Sequence, residues 1–199
     1  MIEIVVNESY GWRTALRALR RPFNREREYN WDQSVPNEDD LRIMKALILS
    51  GDDHAKVMRM IGVGLTVKAP RYWFLEFDTY RLGRFDTDCE MVSESTMHWK
   101  MSKEFLPSDF DMDGYDLAPI VNKRREQLLD KQISIEGFKA NMPEGLLQTR
   151  DVLLNYQALR HIYHGRKDHR LSQWKEFCEF IKTLPYSELI TLEKGEQCS

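Results

Sequence analysis

An α/β fold of the α+β kind, mostly helical and held in a single domain over residues 1–199, is predicted by three features of the sequence. Two short stretches, one beginning at Ile2 and one around Leu65, are β-branched and alternate as half-buried strands do. Several longer stretches repeat apolar residues at helical spacing. No internal repeat, low-complexity tract or long linker divides the chain, and 199 residues suffice for one core.

The elements follow in order. A first strand is expected over residues 2–6. Trp12, Leu16 and Leu19 then recur at helical spacing until Pro22 stops the helix. Residues 24–36 are polar and charged and read as a loop. Asn37 and Asp40 share the N-cap work of a helix carrying Leu41, Met44, Leu47 and Ile48, which Gly51 and Asp52 break. A short helix over 53–60 precedes a strand in which Val63, Leu65 and Val67 alternate. Pro70 ends that strand and opens a helix to Tyr80, at a first turn where the missing N–H has no helical partner anyway. Residues 83–95 read as irregular and 108–116 as a loop. Leu117, Ile120, Val121, Leu128 and Leu129 mark an amphipathic helix. Pro143 and Gly145 make a turn, and helices are expected over 146–164 and 171–184, parted by Gly165.

Composition narrows the function classes. A net charge of -3 gives no general attraction to polyanions, so no nucleic-acid polymer is expected as a partner. Cys89, Cys178 and Cys198 are odd in number and lack CxxC spacing, which argues against a disulfide framework or zinc site and fits a reducing, cytoplasmic setting. The N-terminal MIEIVV reads as a strand rather than a signal peptide, and no apolar run approaches the ~20 residues of a membrane helix.

Three groups of side chains are candidates for chemistry. Asp109, Asp111, Asp113 and Gly114 copy the first half of a calcium loop, but Ile120 stands where a bidentate Glu belongs, so a solvated acidic loop is the better reading. His161, His164 and His169 lack reinforcing ligands at helical spacing, and no metal is expected. Arg160, Arg166, Lys167 and Arg170 surround a single Asp168, which reads either as an anion site or as a solvated basic helix end. Asn155, Leu159, Ile162 and Arg166 fall on one helical stripe. Its polar ends lie ~16 Å apart at 1.5 Å per residue. There is no Gly-rich phosphate loop.

In residues 67–174 the run Ala69-Pro70, Leu75-Glu76, Thr79-Tyr80-Arg81 and Ser93 to Trp99, followed by Lys139, Pro143, Asn155, Arg166 and Gln173-Trp174, resembles the signature of the flavin-dependent thymidylate synthases. Ala69-Pro70 is similar to that family's strand end. Leu75-Glu76 falls on its Arg-Gln pair, and Thr79-Tyr80-Arg81 on its Arg-His-Arg triplet, of which the last Arg is kept. The stretch Ser93-Glu94-Ser95-Thr96-Met97-His98-Trp99 falls on Asn-Glu-x-Ser-x-Arg-Tyr, with Glu94 kept. Downstream, Lys139, Pro143, Asn155, Gln157 and Arg166 hold the family's spacing, and Asp168 and Gln173-Trp174 match with one residue inserted.

The resemblance implies a homotetramer that binds FAD, with NADPH and methylenetetrahydrofolate as co-substrates, and methylates dUMP or a related pyrimidine nucleotide at C5. By position, Arg81, Glu94, Asn155 and His161 would contact flavin, and Glu76, Thr96, His98, Lys139 and Arg166 the nucleotide. Arg81, Glu94 and Arg166 would carry catalysis. The substitutions change the chemistry. Lys139 keeps a cation but lacks bidentate phosphate geometry, and Glu76 adds negative charge beside an anionic substrate. Thr79 and Tyr80 remove preorganised positive charge. A noncatalytic nucleotide-binding or regulatory protein of the same fold is the alternative.

Overall fold

Four strands make one antiparallel sheet in the order β1-β2-β4-β3, with β1 at Glu3–Tyr10, β2 at Gly62–Pro70, β3 at Cys89–Ser93 and β4 at Leu147–Asn155. The computed structural model describes residues 2–23, 34–80, 89–94, 103–111 and 116–193. The helices are α1 (Trp12–Arg20), α2 (Glu38–Leu49), α3 (Arg71–Phe77), α4 (Ala118–Leu129), α5 (Ile135–Ala140), α6 (Tyr156–Arg166), α7 (Ser172–Ile181) and α8 (Glu188–Thr191). No helix of the described residues is long and apolar enough to cross a membrane.

The expected α+β class is the observed one, but two segments differ from expectation. Residues 147–155 form a central strand, not a helix. Val152 and Leu154 turn inward while Asp151 and Leu153 face out, and the strand pairs with β2 along its whole length, from Leu147 opposite Pro70 to Asn155 opposite Gly62. That long-range pairing outweighs the local helix preference of the two leucines. Cys89–Ser93, expected irregular, adds to the far edge of β4. Smaller differences follow local geometry. Pro70 is the N-cap of α3 and not its first residue, α3 tightens into a 3₁₀ turn at Asp78–Tyr80, and the short helix before β2 is a 3₁₀ turn at Lys56–Met60.

Asn37 and Asp40 form the expected reciprocal cap of α2. The Asn37 side chain accepts from Asp40 N–H at 2.9 Å, and the Asp40 carboxylate accepts from Asn37 N–H at 3.0 Å. The main core lies between the inner sheet face and α1, α2, α3, α6 and α7, around Leu16, Met44, Trp73, Phe77, Trp174 and Phe177. Trp73 packs against Phe77 at 5.0 Å and Trp174 at 4.7 Å between ring centroids. A second cluster of Phe105, Phe110, Ala118, Val121, Phe138 and Leu146 joins α4 and α5 to the end of the sheet.

One glycine is demanded by the turn between β1 and α1. Gly11 has φ +86°, and a Cβ there would lie 1.8 Å from the Met60 carbonyl oxygen. Gly11→Ala is therefore expected to lower stability by at least about 2 kcal/mol in urea unfolding, since neither the left-handed backbone nor the facing carbonyl yields cheaply. A loss below ~0.5 kcal/mol would show that this turn rearranges freely.

Candidate functional site

The turn from β2 into α3 fixes one half of the site. Pro70 has extended backbone, and α3 buries Trp73, Phe74 and Phe77, which leaves Arg71, Tyr72 and Glu76 on its polar side. The turn from β4 into α6 fixes the other half. The Asn155 side-chain oxygen accepts from Ala158 N–H at 2.9 Å and sets the start of α6. Leu159 and Ile162 of the expected stripe are fully buried, and Arg166 emerges at its end. Gly165 does not interrupt the helix.

Glu76 and Arg166 meet directly. Arg166 Nη1 donates to Glu76 Oε2 at 2.8 Å and Arg166 Nε donates to the Tyr80 hydroxyl at 2.8 Å. The guanidinium lies over the Trp174 ring, 4.7 Å from its centroid. Trp174 Nε1 donates to the same Glu76 oxygen at 2.9 Å, and His169 Nε2 lies 3.5 Å from it. The cluster thus draws on α3 and its 3₁₀ extension, the end of α6, the following loop and α7. Next to it, Gln173 and the Tyr72 hydroxyl both bond to the Asp111 carboxylate, at 2.7 and 3.1 Å. That places one Asp of the half calcium motif in a structural tie; Asp113 and Gly114 lie outside the described residues.

Lys139 stands elsewhere, beside a cavity of about 130 Å³ lined by Arg71, Phe138, Lys139, Met142 and Gln148. Arg71 reaches Glu144 at 3.6 Å and the Met142 carbonyl at 3.4 Å. The Gln148 side-chain Oε1 accepts from Arg150 Nη2 at 3.1 Å. Two cations and an amide around a small cavity suit an anion. Arg150 lies over the Phe74 ring at 4.0 Å and pairs with Asp78 at 3.2 Å, tying β4 to the end of α3.

Glu94 closes the β3–β4 edge. Its N–H donates to the Thr149 carbonyl at 3.0 Å, and its carboxylate accepts from Thr149 N–H at 3.1 Å. His161 faces away from Arg166, toward a larger cavity of about 540 Å³ lined also by Gly51, Asp52, Arg160, His164 and Glu193. His161 lies 3.3 Å from Asp52, and His164 lies 3.8 Å from Glu193. Burial, aided by the Arg160 guanidinium, holds the His164 imidazole below its ordinary pKa. The three histidines thus face three different carboxylates, and no group of three metal-ligating side chains forms among the described residues.

Of the expected nucleotide and flavin contacts, Glu76 and Arg166 are joined by a direct bond. Asn155 caps the opposite end of the helix that carries Arg166. Glu94, Lys139 and His161 line separate places. Arg81, Thr96 and His98 lie outside the described residues. Arg71, Gln148 and Arg150 were not anticipated. The alternation in residues 147–155 is the signal for the last two, because it places Gln148, Arg150, Val152 and Leu154 on one face.

No family profile and no curated protein sequence matches the chain. Solved structures do match. The flavin-dependent thymidylate synthase ThyX from Helicobacter pylori, complexed with FAD and dUMP, aligns with a TM-score of 0.72 at 15% identity, covering 96% of this chain and 98% of that one. The UMP/dUMP methylase PolB from Streptomyces cacaoi, bound with 5-Br dUMP, aligns with a TM-score of 0.66 at 16% identity, covering 92% and 89%. The chain has the fold of these proteins over nearly its whole length.

Proposed function

We propose that this protein is a flavoenzyme that methylates a pyrimidine nucleotide, dUMP or a close relative, at C5. The observation that carries this reading is the Glu76–Arg166–Trp174 cluster, a built polar and aromatic site in a fold whose solved examples hold FAD and dUMP or a brominated analogue. Arg166 and Glu76 would meet the nucleotide, together with Thr96 and His98. Lys139 would meet its phosphate, with Arg71 as a second cation at the same cavity.

The described residues fit part of a flavin dinucleotide. The larger cavity offers guanidinium and imidazole donors from Arg160, His161 and His164, and carboxylate acceptors from Asp52 and Glu193. Arg81, Glu94, Asn155 and His161 are the proposed flavin contacts, and Asn155 also fixes the helix that presents His161 and Arg166. Bound FAD would supply hydride to the nucleotide, with methylenetetrahydrofolate as carbon donor and NADPH as reductant. Arg81, Glu94 and Arg166 would orient the reactants and balance charge that develops on them. A cytoplasmic homotetramer is part of the proposal. Val5, Tyr10, Val92 and Leu153 are exposed on the sheet among Glu8, Thr66, Glu90 and Asp151, a mixed apolar and polar face that a neighbouring subunit would cover.

A noncatalytic reading is favoured by one observation. The Thr79 hydroxyl donates back to the Glu76 carbonyl at 2.7 Å, and the Arg166 charge is balanced by Glu76, so neither supplies uncompensated positive charge. Activity decides between the two. Purified protein should be yellow with a flavin absorbance band, and FAD, NADPH, methylenetetrahydrofolate and dUMP should yield dTMP above a no-enzyme control. A flavin-loaded, well-folded protein that makes none would sink the dUMP claim.

A further inference from the structure

The Glu76–Arg166 pair retains hydrogen-bonding capacity after its own bond is made. Glu76 Oε2 receives Arg166 Nη1 and Trp174 Nε1, with His169 near, but Oε1 receives no hydrogen bond from any described residue. Arg166 engages Tyr80 through Nε and Glu76 through Nη1, and its Nη2 donates to no described residue. Both side chains reach solvent, Glu76 at 36% and Arg166 at 18% of full exposure. An acceptor-only group and a donor-only group therefore stand side by side, held in place by Trp174 and Tyr80.

Resting on the reading that this cluster meets a pyrimidine nucleotide, we propose that the Glu76–Arg166 pair selects cytosine over uracil as the base. Along its pairing edge cytosine presents a donor, the 4-amino group, followed by two acceptors, N3 and O2. Glu76 Oε1 would accept from the amino group at the end of that edge, and Arg166 would donate to N3 and O2. Uracil presents acceptor, donor, acceptor. To reach its single N–H, the carboxylate must sit between two carbonyl oxygens, which repel it. The ion pair as a whole adds no net charge, so it has no advantage as a phosphate site; the cavity beside Arg71 and Lys139 holds the excess of positive charge.

The test is titration of the full-length, FAD-loaded protein with dCMP and with dUMP by calorimetry. Wild-type protein is expected to bind dCMP at least about tenfold more tightly, the scale of one well-placed base-edge contact. Glu76→Gln, whose amide can face either base, is expected to erase or invert that ratio. Wild-type protein that binds dUMP as tightly as dCMP, or more tightly, overturns the selection alone and leaves the pyrimidine-nucleotide reading standing. Failure of both nucleotides to bind overturns that reading and the selection with it. The wild-type comparison decides even if the variant does not fold.

Discussion

Arg166→Ala is expected to weaken binding of dUMP, and of dCMP, by about 10- to 150-fold while the protein stays folded, since a hydrogen bond from a charged donor contributes ~1.5–3 kcal/mol. The side chain is placed for this by three partners: Glu76 at 2.8 Å, the Tyr80 hydroxyl at 2.8 Å and the face of Trp174 at 4.7 Å. The loss should lie toward the upper end of that range, because removing Arg166 leaves the Glu76 carboxylate facing an anionic ligand without its cation. The double variant Arg166→Ala/Glu76→Gln should accordingly recover part of the affinity, a coupling that a double-mutant cycle reads directly. Arg166→Lys should not rescue, as an ammonium cannot serve Tyr80 and Glu76 while stacking on Trp174. Calorimetric titration with a parallel thermal melt checks all three. Unchanged nucleotide affinity in Arg166→Ala would remove this residue from the site.

Much of the scaffold was legible because local chemistry fixed it. Pro70 ends β2 as the sequence requires, Trp12, Leu16 and Leu19 share the buried face of α1, and the spacing of Leu159, Ile162 and Arg166 is a real helical stripe. The errors fell where partners distant in sequence decide. Residues 147–155 contain Leu147, Leu153 and Leu154, which suit a helix locally. Their strand state is set by β2, 77 to 93 residues earlier, with which every residue from Leu147 to Asn155 is in register. With β4 misassigned, Gln148 and Arg150 could not be placed on the face that meets α3. In the site, the Glu76–Arg166 bond joins residues 90 apart in sequence. Charge spacing alone shows that Arg166 is a cation, not that a carboxylate already balances it. Nor does composition show that Lys139 shares its cavity with Arg71.

The same limit applies to Asp40, whose replacement by Ala is expected to destabilise the protein by about 3–5 kcal/mol, the usual consequence of breaking a buried ion pair by removing one member. The spacing of Asn37 and Asp40 announces a cap, which by itself contributes only ~1 kcal/mol. The structure adds Arg20 from α1. Its Nε donates to Asp40 Oδ1 at 2.7 Å and its Nη2 to Oδ2, and the two side chains are 10% and 3% exposed. One carboxylate therefore caps α2 and neutralises a guanidinium held between α1 and α2. Asp40→Ala removes both functions and takes from the buried Arg20 the carboxylate that holds it against α2. Asp40→Asn keeps a capping oxygen but not the charge, so its loss should be intermediate. Arg20→Leu combined with Asp40→Ala should be less damaging than Asp40→Ala alone, because the buried guanidinium that lost its carboxylate is removed as well. Urea unfolding of the four proteins ranks these outcomes. An Asp40→Ala loss within ~1 kcal/mol of wild type would reduce Asp40 to a simple cap. The consequence reaches the site, since Ile48 near the end of α2 and the following Gly51 and Asp52 line the cavity that holds His161. A loosened α2 should weaken flavin binding at temperatures where Arg166→Ala, which leaves α2 untouched, does not.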